Sequence, residues 1–314
     1  MFEIQGKYTS ALVTNDNTEQ EAIAQIYDIV NCKAYDGCKI VIKPDAHCGK
    51  GSVIGFCCRI GDYVDPRTVG VDIGCNISMR LYDKPLPEDK YAELNQRILK
   101  EIGWGFETSP KKMYEDKELY RFLSTEFCKA KSAHPDIFGD LPDTVTEKWV
   151  DDLLERIGMD ARTWYYSINS CGGGNHYIEY DVNENANLYG ITVHCGSRNF
   201  GVKVCKYWEN KSKGGAFSKN EIKDTTSTFK AKYIEEHTIG SKRDMTGFKE
   251  ALNEYLNYLQ RDHIENLLRG DNMHGYFCDM YVALCYAKFN HIIIHRTIDA
   301  MMLKYGCKCI KEIS

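Results

Sequence analysis

The sequence predicts an α+β protein, and three observations carry that reading. Short β-branched or alternating runs crowd the first 81 residues, and three amphipathic helical patterns then follow one another. A second pair of strands near residues 175–195 precedes the two longest helical patterns. Strands and helices that come in separate runs, not in strict alternation, point to α+β architecture.

Taken in order, residues 1–36 read as a leading strand and a helix over Glu19–Val30. Lys39–Lys43 is short and β-branched, Ser52–Ile60 is apolar, and Thr68–Leu81 alternates before Pro85 breaks it. Glu88–Ile102, Asp116–Lys131 and Thr144–Ile157 repeat apolar residues at three-to-four spacing, with Pro110, Pro135 and Pro142 in the connections. Asn175–Asp181 and Tyr189–Cys195 read as strands joined by the polar Asn183–Asn187, and Phe200–Lys213 resumes as helix. Ser212–Thr228 is rich in Ser, Thr, Gly and Lys, lacks a period, and reads as loop. Phe248–Leu268 and Met273–Tyr305 are long helices separated by Gly270, Asp271 and Asn272. Cys307–Ile313 opens a strand with only Ser314 after it, and a strand without a following partner suggests a shortened chain. The sequence contains no internal repeat.

With 314 residues, 43% hydrophobic and 27% charged, the chain has the composition of a globular protein. No apolar stretch is long enough to span a bilayer and no signal-peptide pattern opens the chain, which predicts a cytoplasmic protein without membrane contact. The 14 cysteines form no C-x-x-C knuckles, so most are expected to be buried reduced thiols. A net charge of −5 argues against a general nucleic-acid coat. A local basic groove from Lys50, Arg198, Lys203 and Lys206 is still available, with Lys211 and Lys213 read as solvated surface.

Four glycine-rich segments carry potential ligands: Pro44–Gly51, Val69–Asn76, Gly172–Glu179 and Val193–Arg198. Glycine lets a backbone approach a ligand closely, and the neighbouring Asp, Cys or His supplies a donor. Asp72 and Cys75, three apart around Gly74, can bind one ion if the chain folds back. His176 follows three glycines, and His194 ends an apolar strand before Gly196, Ser197 and Arg198, where a guanidinium could hold phosphate. Alternation puts Asn175 and Glu179 on one strand face and His176 on the other, so irregular backbone is expected at Asn175–His176. The mixed donors Asp, Cys and His do not select one metal. Cys75 and Cys195 are the cysteines the motifs single out, and Asp45, His47 and Lys50 add acid, imidazole and amine. His291 and His295, one turn apart in an apolar helix without the zincin glutamate, read as core histidines.

In this order, the motifs Pro-Asp-x-His-x-Gly-Lys-Gly, Val-Gly-Val-Asp-Ile-Gly-Cys, Gly-x-Gly-Asn-His-Tyr-Ile-Glu and His-x-Gly-Ser-Arg resemble the RtcB family of RNA ligases. Tyr286, Ala287 and Asn290 extend the likeness towards the C-terminus. The resemblance implies an RtcB-like fold, with central β-structure, surrounding helices and a long C-terminal helix, in a single catalytic domain over 1–314. It implies GTP and two Mn²⁺ ions as cofactors, with Asp72, Cys75, His176 and His194 as metal ligands. Asn175, Glu179 and Arg198 fall on cofactor-contacting positions, and Asp45 on a catalytic acid. The implied substrates are RNA 2′,3′-cyclic-phosphate or 3′-phosphate ends and 5′-hydroxyl ends, as in RNA repair and tRNA splicing, and an archease-type activator is an implied partner. The family's guanylate-accepting histidine, in Ser-x-x-His-Gly-Ala-Gly-Arg, has no counterpart here, so the domain is expected to be C-terminally incomplete and unable to guanylylate itself. A metal-dependent phosphoesterase and a catalytically degenerate RNA-binding subunit are the alternatives.

Overall fold

The computed structural model describes residues 1–49, 52–213, 219–239, 242–243, 245–253, 255 and 267–313, and its helices and strands form an α+β protein with a long C-terminal helix. In chain order the strands are β1 (Phe2–Gln5), β2 (Ser10–Val13), β3 (Ile40–Ile42), β4 (Phe56–Cys58), β5 (Asn76–Tyr82) and β6 (Gly103–Trp104). They continue with β7 (Ser170–Cys171), β8 (Tyr177–Asn183), β9 (Leu188–Cys195), β10 (Thr238–Ile239), β11 (Lys242–Arg243) and β12 (Cys309–Ile313). The chain divides into two compact units, Met1–Thr68 with Trp208–Met273, and Val69–Tyr207 with the chain from His274 onward.

In the first unit the sheet order is β1-β2-β3-β4, parallel only between β2 and β3. The crossover is the helix Gln20–Val30, whose Ala22, Ile26, Ile29 and Val30 pack with Ala11, Val13, Ile40 and Ile42 of the sheet. Burying each Val or Ile side chain among them contributes about 1.5–3 kcal/mol. The expected strand Ser52–Ile60 forms only at Phe56–Cys58. Before it the chain turns, with Gly55 at φ +89° and the Ile54 amide donating to the His47 carbonyl.

Part of the expected loop Ser212–Thr228 is instead helix, Lys219–Glu236. Its apolar residues are too few to show a period. Phe229 and Tyr233, one turn apart, are the anchors: both pack against Phe248, and Phe229 also stacks on Tyr255. Of the long pattern Phe248–Leu268, residues 248–253 and 255 are helical and 256–266 lie outside the described residues.

The second unit is built on the antiparallel sheet β12-β5-β9-β8. One face packs Ile191, Val193 and Tyr82 on Ile294, Ile298 and Met301 of the long helix Gly270–Lys304, and on Leu94 and Ile98 of the helix Tyr91–Glu101. Alternation therefore turns Ile77, Tyr177 and His194, which sit opposite one another in register, to the other face. The C-terminal strand does have a partner, contrary to expectation. Lys311, Glu312 and Ile313 pair with Leu81, Arg80 and Met79, and Glu312 accepts from Arg80 at 2.9 Å. The period of a segment reveals a strand, but not a partner 232 residues upstream.

None of the 14 cysteines forms a disulfide, but six are buried and five exposed, so burial is not the rule expected for them. Among the described residues no helix is long and apolar enough to cross a membrane.

Candidate metal centre

The turn Asp72–Cys75 closes with the Cys75 amide donating to the Asp72 carbonyl at 3.0 Å. Gly74 takes φ +76°, and a Cβ there would lie 2.8 Å from the Ala287 methyl of the long helix. Glycine is thus required both by conformation and by close approach. Cys75 then stands two residues before Ile77, on the face shared with His194. The expected irregularity at Asn175–His176 is a turn, which ends before β8 begins at Tyr177. It frees His176 from the strand's alternation and swings it towards Cys75.

The donor atoms of Cys75, His176 and His194 lie within 4.8 Å of one another. Cys75 Sγ is 3.1 Å from His194 Nε2 and 3.6 Å from His176 Nε2, and His176 Nε2 is 2.8 Å from Asp72 Oδ2. Two glycines make room for these side chains. A Cβ at Gly172 would lie 2.0 Å from His176 Nδ1, and one at Gly196 2.3 Å from Asp72 Oδ1. The sequence marked both glycines as flexible, but only the structure shows that their missing side chains shape the cluster.

Burial would raise the Asp72 carboxyl, but the hydrogen bond and charge of His176, aided by Cys75 and Arg198, hold it below the usual carboxylate range. The Asp72 hydrogen bond, with the Cys195 and Cys75 sulfurs behind it, raises His176 to about 11. The cluster therefore favours a positive charge, here the imidazolium proton, at the point where the donors converge. Thiolate, imidazole and carboxylate around an exposed cysteine are a donor set that fits a divalent transition ion with an accessible coordination position.

The other predicted residues divide. Asn175 and Glu179 are exposed, with Glu179 on the His194 face of the sheet. Arg198, at φ +58°, is half-buried, and its guanidinium donates to Ser170 Oγ at 3.0 Å and to the Gly105 carbonyl. Cys195 is fully buried on the core side, where its thiol meets the Ser170 carbonyl at 3.3 Å; its sulfur acts on His176 but is not one of the three converging donors. Asp45 is exposed and belongs to the first unit, where His47 Nδ1 donates to its carbonyl at 3.0 Å. In the proposed basic groove, Lys203 is committed to the Gly158 carbonyl at 2.7 Å, and Lys50 lies outside the described residues.

A buried polar frame supports the centre from the long helix. Asn290, fully buried, accepts from the Asn169 amide at 2.8 Å and donates to the Ser170 carbonyl at 3.0 Å and to Cys195 Sγ at 3.3 Å. His291 Nε2 donates to the Cys195 carbonyl at 2.9 Å. Its Nδ1 therefore accepts from Ser78 Oγ at 2.6 Å, and Ser78 in turn accepts from His295 Nε2 at 2.8 Å. The two histidines are core residues, as their apolar helix predicted, and they also pin β5 and the end of β9. Only the polar Asn290 within an apolar helix could have signalled this frame in the sequence.

Residues 25–311 match the family model described as tRNA-splicing ligase RtcB. The chain is 27% identical over 225 residues to the RNA-splicing ligase RtcB of Escherichia coli (strain K12), covering 70% of this chain and 47% of that protein. It is 27% identical over 206 residues to the RNA-splicing ligase RtcB homolog 1 of Entamoeba histolytica, covering 54% and 36%. The chain thus spans about half the length, or less, of these curated relatives. With candidate ligands on the matched motifs converging as described, the chain belongs to the RtcB family.

Proposed function

We propose that this chain carries the metal-binding part of a GTP- and Mn²⁺-dependent RNA ligase, which joins 2′,3′-cyclic-phosphate or 3′-phosphate RNA ends to 5′-hydroxyl ends. One observation carries the reading: Cys75, His176 and His194, from three separate segments, bring S, N and N donors within 4.8 Å, with Asp72 beside them. These four residues would hold Mn²⁺. When bound, the metal would supply Lewis acidity that offsets the negative charge crowded around a reacting phosphate.

The chain's own groups divide the remaining work. The Asp72 carboxylate keeps His176 oriented into the cluster. Exposed Asn175 and Glu179 offer an amide and a carboxylate to the edge of a guanine, and the carboxylate can accept its ring N–H. Arg198 is fixed by Ser170 and Gly105 beside His176, where its charge favours phosphate oxygens. Asp45 is the proposed acid for proton transfer. The reading puts the protein in the cytoplasm, where fourteen cysteines outside disulfides stay reduced, with RNA ends as substrate and an archease-type activator as partner.

The test is Mn²⁺ titration calorimetry. Cys75→Ala should abolish binding of at least one ion, whereas Cys57→Ala should bind as the parent does. Equal binding by both variants removes the centre. Incubation with labelled GTP, Mn²⁺ and RNA ends then separates ligation from plain phosphoester hydrolysis, which would open the cyclic phosphate without joining strands.

A further inference from the structure

We propose that Phe106, together with Tyr166, Arg162 and Lys111 beyond it, forms a track for a single RNA strand leading to the metal centre. The inference rests on the ligase reading above, from which it takes the identity of the strand.

Phe106 is 108% exposed, more than any other large hydrophobic residue described. Its exposure does not come from a loose loop. Glu107 N donates to the Trp104 carbonyl at 2.9 Å across a turn in which Gly105 takes φ +59°. On one side Gly103 pairs with Ser170 between β6 and β7, and on the other Ser109 N donates to the Tyr166 carbonyl at 2.7 Å. The Arg198 guanidinium ties down the Gly105 carbonyl at the apex. A phenyl ring held in water by an anchored turn gives the fold no burial energy. It is, however, a ready-made stacking face on a backbone that is already ordered, so that only the side chain's rotamers have to be fixed on binding.

The turn adjoins the candidate centre. A Cβ on Gly173 would lie 3.6 Å from Gly105 Cα, so the Phe106 turn touches the loop that leads to Asn175 and His176. On its other side stand tyrosines and cations, with the carboxylates Asp116 and Asp151 near Tyr165. Ser109 Oγ donates to the Lys111 carbonyl at 2.8 Å, the Arg162 guanidinium lies 5.6 Å from the Tyr166 ring, and Lys112 lies 5.0 Å from the Tyr165 ring. Lys112 is paired with Asp116, while Arg162 and Lys111 are exposed. Aromatic faces for bases, interleaved with cations for phosphates, are what a single strand needs, and they read little sequence.

The test is fluorescence anisotropy with a fluorescein-labelled single-stranded RNA, in EDTA, so that the reading does not depend on the metal. Phe106→Ala should weaken binding about tenfold at every salt concentration, and Phe106→Trp should retain it. Arg162→Gln and Lys111→Gln should each flatten the salt dependence by about 0.7 in log–log slope. Because all three side chains are exposed, these variants should keep the parent melting temperature. Unchanged affinity in Phe106→Ala, or unchanged slopes in both charge variants, overturns the track whatever the Mn²⁺ titration gives. Loss of affinity in Phe106→Ala in a chain whose Cys75 binds no Mn²⁺ supports the track and removes the ligase reading. A parent chain that binds no RNA overturns both.

Discussion

Replacing Gly196 with alanine should weaken the metal centre through one collision. A methyl group there would sit 2.3, 2.5 and 2.6 Å from Oδ1, Oδ2 and Cγ of Asp72. Ordinary contact needs about 3.5 Å, so the carboxylate must retreat by roughly 1 Å. Its 2.8 Å bond to His176 Nε2 then stretches beyond hydrogen-bonding range. Gly196 is not among the residues at positive φ, so alanine meets no backbone penalty and the effect is confined to Asp72. Loss of a group that orients a ligand costs about 10–100-fold in metal affinity, and calorimetric Mn²⁺ titration should show that loss. In the metal-free variant, His176 should also titrate well below about 11, because its largest stabilising partner has moved. The decisive comparison is a double-mutant cycle. With Asp72 already alanine, Gly196→Ala should cost almost nothing, since no carboxylate remains to be displaced. A full cost in that background would refute the collision argument.

Two further outcomes follow from the frame beneath the centre. His295 is held neutral by burial, with Arg80 and His291 adding to it, and falls from 6.5 to about 3. The unfolded chain therefore takes up a proton that the folded one refuses, so stability is intact above pH 6.5 and declines as pH falls towards about 3, by up to about 1.4 kcal/mol per pH unit. His295→Gln, which can still donate to Ser78, should flatten that part of the curve in urea unfolding at several pH values, and an unchanged slope would count against it. Asn290→Ala should cost on the order of 3 kcal/mol, because it strips partners from the Asn169 amide and the Ser170 carbonyl deep in the core. A change below about 1 kcal/mol in the same assay would mean that water replaces the amide.

Much of the site was legible because its chemistry is local. Glycines beside Asp72, Cys75, His176 and His194 announce close backbone approach, and the mismatch between His176 and its strand's alternation foretold the turn that carries it. What lay hidden was long-range or all-polar. The helix Lys219–Glu236 has too few apolar residues to show a period, and two that anchor it are Phe229 and Tyr233. The partner of Cys309–Ile313 lies more than two hundred residues away. The fate of Cys195 was undecidable from its motif, since only the pairing of Asn76 with Cys195 and of Ile77 with His194 tells which of the two neighbours faces outward. Likewise Gly105 and Phe106 look like an ordinary turn until the anchoring by Arg198 is seen.

The hydrogen bond from His295 to Ser78 spans 217 residues, and it has a consequence for the chain during its synthesis. Ribosomes add about 5–20 residues per second, so Cys75 emerges on the order of 10–40 s before the helix that will brace its strand. For the first part of that interval Cys75, a proposed ligand, is without its two histidine companions, since His176 and His194 also come later. A lone thiol offers an ion a single donor, where the assembled cluster offers three. The proposed centre can therefore be completed only after the long helix has emerged to brace β5 and the end of β9.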